Sequence, residues 1–191
     1  MTEEPRLRLF VAASLPADQL EWLEDRGGGL KRTWPQARWT VSANRHLTLK
    51  FLGATDAGLL RSIEAACGDA ATEREPAEVR LDGLGIFPSP RRARVLWVGL
   101  DDPSGLLPSL AGALDRMLAP LGYASEKRRF SPHVTLARFR EPVAVGPLPA
   151  LPDPPPAFEL GSIGLWRSRL SPKGATYELI RDFALGSSGA P

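Results

Sequence analysis

The sequence predicts an α+β fold with largely antiparallel sheets. Three observations carry that reading. The elements run strand, helix, strands, helix, strands, which is not the alternation of a doubly wound parallel fold. Neighbouring strands are joined as hairpins. A four-residue motif occurs twice, each time on a strand that follows a helix, as in a weak internal duplication.

RLRLFVAAS, Arg6 to Ser14, is short and rich in apolar residues, which suits a buried strand. Pro16 opens a helix, because its fixed φ suits the first turn, and Asp18 and Glu21 complement the positive end. Leu20, Trp22 and Leu23 give that helix its apolar side, and Gly27-Gly28-Gly29 is expected to stop it. ARWTVSANRHLTLKFLG reads as one or two strands with a turn near Ser42–Asn44. From Asp56 the period becomes helical, with Leu60, Ile63, Cys67 and Ala70 three and four apart.

VRLDGLGIF and RVLWVGL form a hairpin across the turn-rich PSPRR. A helix from Ser104 to Ala119 carries Leu107, Leu110, Leu114 and Met117 on one side, with Gly122 just beyond it. A strand follows from Pro132 to Phe139. VGPLPALPDPPP is too proline-dense for a central strand and reads as a surface crossing. AFELGSIGLWRSRL and ATYELIRDF close the fold as a strand pair, and the domain is expected to span 1–183 with a loose tail at 184–191.

Composition narrows the function classes. The chain has 191 residues and a net charge of +2, so attraction for an anion must come from local clusters. A single cysteine, Cys67, excludes an intramolecular disulfide and fits a reducing compartment; its apolar-periodic setting makes it a buried structural thiol. MTEEPRLRLF lacks the pattern of a secretory signal, and no run approaches a membrane span. The expectation is a cytoplasmic monomer with no membrane partner.

The chemistry concentrates in HLTL, His46 to Leu49, and HVTL, His133 to Leu136, which hold the only two histidines, 87 positions apart. Side chains alternate along a strand, so His46 and Thr48 share one face while Leu47, Leu49 and Phe51 share the other. His133 and Thr135 repeat this against Val134 and Leu136. A lone His-x-Thr is commonly structural. Two copies with the same alternation, using every histidine in the chain, point instead to a shared cleft. Unperturbed imidazoles titrate near 6.5, so one neutral and one protonated ring can serve as base and acid. Threonine hydroxyls can donate to phosphoryl oxygens. Together they suit opening of a strained cyclic phosphodiester. Neither motif supplies an Asp, Glu or Cys to complete a zinc site, so no metal or other cofactor is expected.

Around the second motif, EKRRFSPHVTLARFR carries Lys127, Arg128, Arg129, Arg138 and Arg140 against Glu126, and PRRAR adds Arg91, Arg92 and Arg94. This favours an anionic substrate larger than one phosphate. Phe10, Trp39, Phe130 and Trp166 are candidates to stack on a base, whereas Trp97 reads as core. Arg129 and Arg138 are the arginines singled out as substrate contacts.

At these residues the chain resembles the two-histidine phosphoesterases, and more closely their RNA 2′,3′-cyclic phosphodiesterase branch, first described as 2′-5′ RNA ligase. RLFVAASLP, HLTLKFLG, RVLWVGL, PHVTLAR and SRLSPKGATYELI carry the resemblance. It implies a bilobal fold in which two pseudo-symmetric antiparallel sheets form a central cleft with helices outside. It also implies metal-independent hydrolysis of RNA or nucleotide 2′,3′-cyclic phosphate ends to 2′-phosphates; the alternatives are a 2′-5′ RNA ligase activity and a non-catalytic binder of RNA ends or nucleotides. His46 would then be the acid, His133 the base, and Thr48 and Thr135 the phosphate contacts.

Overall fold

The computed structural model describes residues 6–151, 153, 155–172 and 174–186. Strand β1 (Arg6–Ser14) leads to helix α1 (Ala17–Thr33), and β2 (Arg38–Trp39) and a 3₁₀ turn at Ser42–Asn44 precede β3 (His46–Asp56). A second 3₁₀ turn, Ala57–Leu59, enters α2 (Leu60–Thr72), followed by the hairpin β4 (Ala77–Phe87) and β5 (Ala93–Asp101). Helix α3 (Leu106–Leu118) precedes β6 (His133–Val143), and β7 (Phe158–Leu160), β8 (Ser162–Ser171) and β9 (Gly174–Ala184) complete the fold.

Every strand pairing is antiparallel. The order β7-β4-β5-β6-β3-β1-β8-β9 divides into two four-stranded halves, β3-β1-β8-β9 and β6-β5-β4-β7. The halves are not separate sheets. One pair of partners, Leu47 and Val134, joins β3 to β6, so the two expected sheets are parts of one. Strand β2 pairs with β6 beside this joint. In each half the motif strand lies antiparallel to the strand that precedes its helix: β3 on β1, and β6 on β5.

Leu9, Val11 and Ala13 of β1 are buried, as are Leu47 and Leu49 of β3 and Val134 and Leu136 of β6. Helices α2 and α3 pack against each other, with Ile63, Cys67, Leu107, Leu110 and Leu114 fully buried. Burial pushes the Cys67 thiol up to about 12, with Glu64 adding to the effect, so it stays protonated and unreactive.

Three further expectations are corrected. The glycine triplet does not end α1; the helix runs through it to Thr33. Leu23, Gly27 and Leu30 form one buried stripe, and that packing outweighs the roughly 1 kcal/mol that each glycine costs in a helix. The helix stops at Trp34, whose following residue is Pro35. AFELGSIGLWRSRL is not one strand. It breaks at Gly161, sending β7 to β4 in one half and β8 to β1 in the other. At the C-terminal end β9 includes Ala184, and Leu185 is buried with its N–H bonded to the carbonyl of Gly161. The packed chain therefore passes 184, while 187–191 of the expected tail lie outside the described residues.

One buried ion pair ties the motif strand to the helix layer. Lys50 Nζ donates to Asp115 Oδ1 at 2.5 Å and to the carbonyl of Ala124 at 2.6 Å, and Asp115 Oδ2 accepts the Glu126 N–H at 2.9 Å. Removing one partner of such a pair strands a buried charge. Asp115→Ala should therefore destabilise the protein by about 3 kcal/mol. Glu178→Ala, at the exposed pair with Arg169, should cost below about 1 kcal/mol. Urea unfolding of the two variants checks the contrast.

Candidate active site

Both motif strands carry a β-bulge at the same point. Between β1 and β3 the register steps from Ala12↔Thr48 to Val11↔Lys50, leaving Leu49 unpaired. Between β5 and β6 it steps from Trp97↔Thr135 to Leu96↔Ala137, leaving Leu136 unpaired. An extra residue in one strand inverts the alternation beyond it. Strict alternation places Phe51 with Leu47 and Leu49 on the core face. The bulge turns Phe51 outward instead; it is 48% exposed and lines the cleft with Thr48. The same step in β6 brings Arg138 onto the face of His133 and Thr135.

Each imidazole is fixed the same way. His46 Nδ1 donates to the carbonyl of Asn44 at 2.9 Å, and His133 Nδ1 donates to the carbonyl of Ser131 at 2.7 Å. A carbonyl can only accept, so Nδ1 carries the hydrogen and a neutral ring keeps its lone pair on Nε2. Aromatic rings hold both. Phe10 lies 4.8 Å from His46 and Tyr177 meets it edge-on at 5.1 Å. Phe87 meets His133 edge-on at 5.0 Å, and Trp97 lies at 5.8 Å. Trp97 is thus half-buried beside His133 rather than core. Its indole lies over Gly85, where a Cβ would come within 2.0 Å of the ring.

Two cavities meet along Thr48 and Phe51. The one beside His133, ≈ 640 Å³, includes Phe87, Arg128, Arg129, Phe130 and Asp115 in its lining. The one beside His46, ≈ 410 Å³, includes Arg8, Phe10, Thr135, Arg138 and Tyr177. His46, His133, Thr48, Thr135, Phe10, Arg129, Phe130 and Arg138 therefore each line one or the other. Phe10 is only 3% exposed, so its ring walls His46 and offers no face to a base. Trp39 and Trp166 line neither cavity, nor do Arg91, Arg92 and Arg94. Sequence reading missed Arg8, Phe51, Phe87 and Tyr177. Among the described residues, no three His, Cys, Asp or Glu side chains cluster as a metal site.

The expectation of one neutral and one charged imidazole at neutral pH is also corrected. Burial pulls His46 down to about 4 against the favourable Asn44 carbonyl bond, and the charges of Arg138 and His133 add to the depression. Burial lowers His133 too, again with Arg138 and against the Ser131 carbonyl. The downward shift of each ring favours its neutral form at pH 7 in the free protein.

An unfolded histidine takes its proton near 6.5, while folded His46 resists until about 4. The unfolded state therefore binds more protons between these values, and stability falls as pH drops through that window. NMR titration should find the His46 ring at about 4 and His133 below 6.5. Inorganic phosphate should raise both.

The LigT-like phosphoesterase family matches this chain over residues 14–97 and again over 98–177, one His-x-Thr-Leu in each match. An RNA 2′,3′-cyclic phosphodiesterase of Methanothermobacter thermautotrophicus is 32% identical over 185 residues, covering 94% of this chain and 100% of that one. Its namesake in Aeropyrum pernix is 35% identical over 151 residues, 76% of this chain and 85% of the other. Escherichia coli LigT, solved with 3′-AMP, aligns with a TM-score of 0.78 at 26% identity, over 95% of this chain and 99% of its own. A Thermus thermophilus protein gives 0.78 at 28% identity, over 96% and 100%. With both halves matched, and the motif strands paired where each begins, the chain belongs to the LigT-like phosphoesterase family.

Proposed function

We propose that this protein hydrolyses RNA or nucleotide 2′,3′-cyclic phosphate ends to 2′-phosphomonoesters, without a metal ion, with His46 and His133 as acid and base. The observation that carries the reading is the matched pair of imidazoles, each held through Nδ1, in one cleft with Thr48, Thr135 and Arg138. His133 takes a proton from water as the water oxygen bonds to phosphorus. The bond from phosphorus to the 3′ oxygen breaks, and protonated His46 delivers its proton to that oxygen. Thr48, Thr135 and Arg138 hold the phosphoryl oxygens, whose charge rises as the ring opens.

The depressed pKa values shape this scheme. A protonated His46 is a stronger acid than ordinary imidazolium, so it gives up its proton readily. The substrate anion offsets Arg138 and favours loading that proton. Each catalytic side chain comes from one chain, which supports a working monomer. No helix among the described residues is long and apolar enough to cross a membrane, and a cytoplasmic location is part of the proposal.

A second reading is favoured by the size and aromatic lining of the ≈ 640 Å³ cavity on the His133 side. Water needs far less room. An RNA 5′-hydroxyl placed there would open the same ring and leave a 2′-5′ linkage, the strained phosphate supplying the energy.

Three results are expected. An oligonucleotide with a 2′,3′-cyclic end should be opened in EDTA; an unchanged end would refute the proposal, and dependence on added metal would refute the mechanism. His46→Ala and His133→Ala should each lower kcat by at least about 10²-fold, with smaller losses for Thr48→Ala and Thr135→Ala. Finally, kcat/KM should be bell-shaped in pH with its maximum below the 6.5 of a free imidazole, because both rings are shifted downward.

A further inference from the structure

We propose that the cavity beside His46 holds a second phosphate on Arg8, so that the preferred substrate is an RNA strand of two or more nucleotides rather than a cyclic mononucleotide. The inference rests on the catalytic reading above and extends it to the substrate's next phosphodiester.

The two cavities differ in charge. The one beside His133 sets Asp115 and Glu126 against Lys50, Arg128 and Arg129. The one beside His46 has Arg8 and Arg138 in its lining and no carboxylate among the described lining residues. Elsewhere Arg26, Arg45, Arg74, Arg80, Arg169 and Arg181 each meet a carboxylate. Among the described residues, Arg8 and Arg138 have no such partner within ion-pair distance. Two arginines facing one cavity without a counter-ion make it a site for more negative charge than one phosphoryl group brings.

Arg8 is also pre-set. Its guanidinium sits over the Phe51 ring, 4.6 Å from the centroid. That contact holds the planar group by its face and leaves its N–H edge for a two-pronged grip on a phosphate. Its position along the strand points to a phosphate other than the cyclic one as the target. Ala12 pairs with Thr48 at the reaction centre, and Arg8, opposite Ala54, lies four residues back along the same strand. That is roughly 13 Å, less the reach of the side chain, which leaves room for one nucleoside in between. The chemistry gives the same direction. If His46 protonates the departing 3′ oxygen, the terminal ribose lies on the His46 side, and its 5′ oxygen leads the strand toward Arg8.

Calorimetry with two non-reacting products, a nucleoside 2′-phosphate and a dinucleotide ending in a 2′-phosphate, tests this. The native protein should bind the dinucleotide about tenfold more tightly, the low end for hydrogen bonds to a charged group. Arg8→Gln should abolish that advantage and lower the salt slope of log Kd for the dinucleotide by about 0.7. Arg8→Lys should keep the slope and part of the advantage. Equal affinities in the native protein, or an advantage that survives Arg8→Gln, would overturn the inference. Turnover of cyclic ends without the dinucleotide advantage would remove this inference alone. An Arg8-dependent advantage in a protein with no turnover would support the second phosphate and remove the catalytic reading.

Discussion

The structure depends on one joint. Leu47 and Val134 are the only residues through which β3 and β6 pair, and each is the second residue of a His-x-Thr-Leu motif. Because both side chains point into the core, the residues on either side of them must point the other way. His46 and Thr48 thus face the same cleft as His133 and Thr135. The hydrophobic demand that buries two aliphatic side chains is what aims four polar ones. Beyond the joint the strands diverge, which opens the space the substrate needs.

Pseudo-symmetry explains the pairing but not the selectivity. The two bulges are equivalent in geometry, and the residues they place are not. The first buries Lys50 and exposes Phe51; the second buries Ala137 and exposes Arg138. One lobe therefore offers an aromatic face where the other offers a guanidinium. Lys50 also has no counterpart, and through Asp115 and Ala124 it holds the segment that leads to Arg128, Arg129 and Phe130. A duplicated frame carries an asymmetric lining, as a substrate with a different group on each side of phosphorus requires.

The sequence made the strands, the order of helices and the two motifs legible because each rests on local periodicity and residue type. The β4–β5 hairpin, α2 and α3 follow from such patterns. What stayed hidden depends on contacts between distant segments. Nothing local in HLTLKF marks a bulge, so alternation put Phe51 on the wrong face. Tyr177 and Phe87 reach the histidines from strands far along the chain, and an aromatic in a strand reads first as packing. The glycine triplet in α1 looked like a stop because its rescue comes from tertiary burial. The imidazole pKa values depend on Arg138 and on desolvation, neither of which spacing can supply.

The return of the chain to its first half bears on how the protein is made. Strand β1 is central, held by β3 on one edge and β8 on the other, with Leu9 and Arg167 partnered 158 positions apart. Until a ribosome has delivered β8, that second edge of β1 has no mate, and an apolar strand with an open edge invites pairing with other chains. Contacts this remote in sequence also slow folding, since much of the chain must be ordered before they form. The nascent protein therefore completes the aromatic wall of His46, begun by Phe10, only when β9 brings Tyr177 into place.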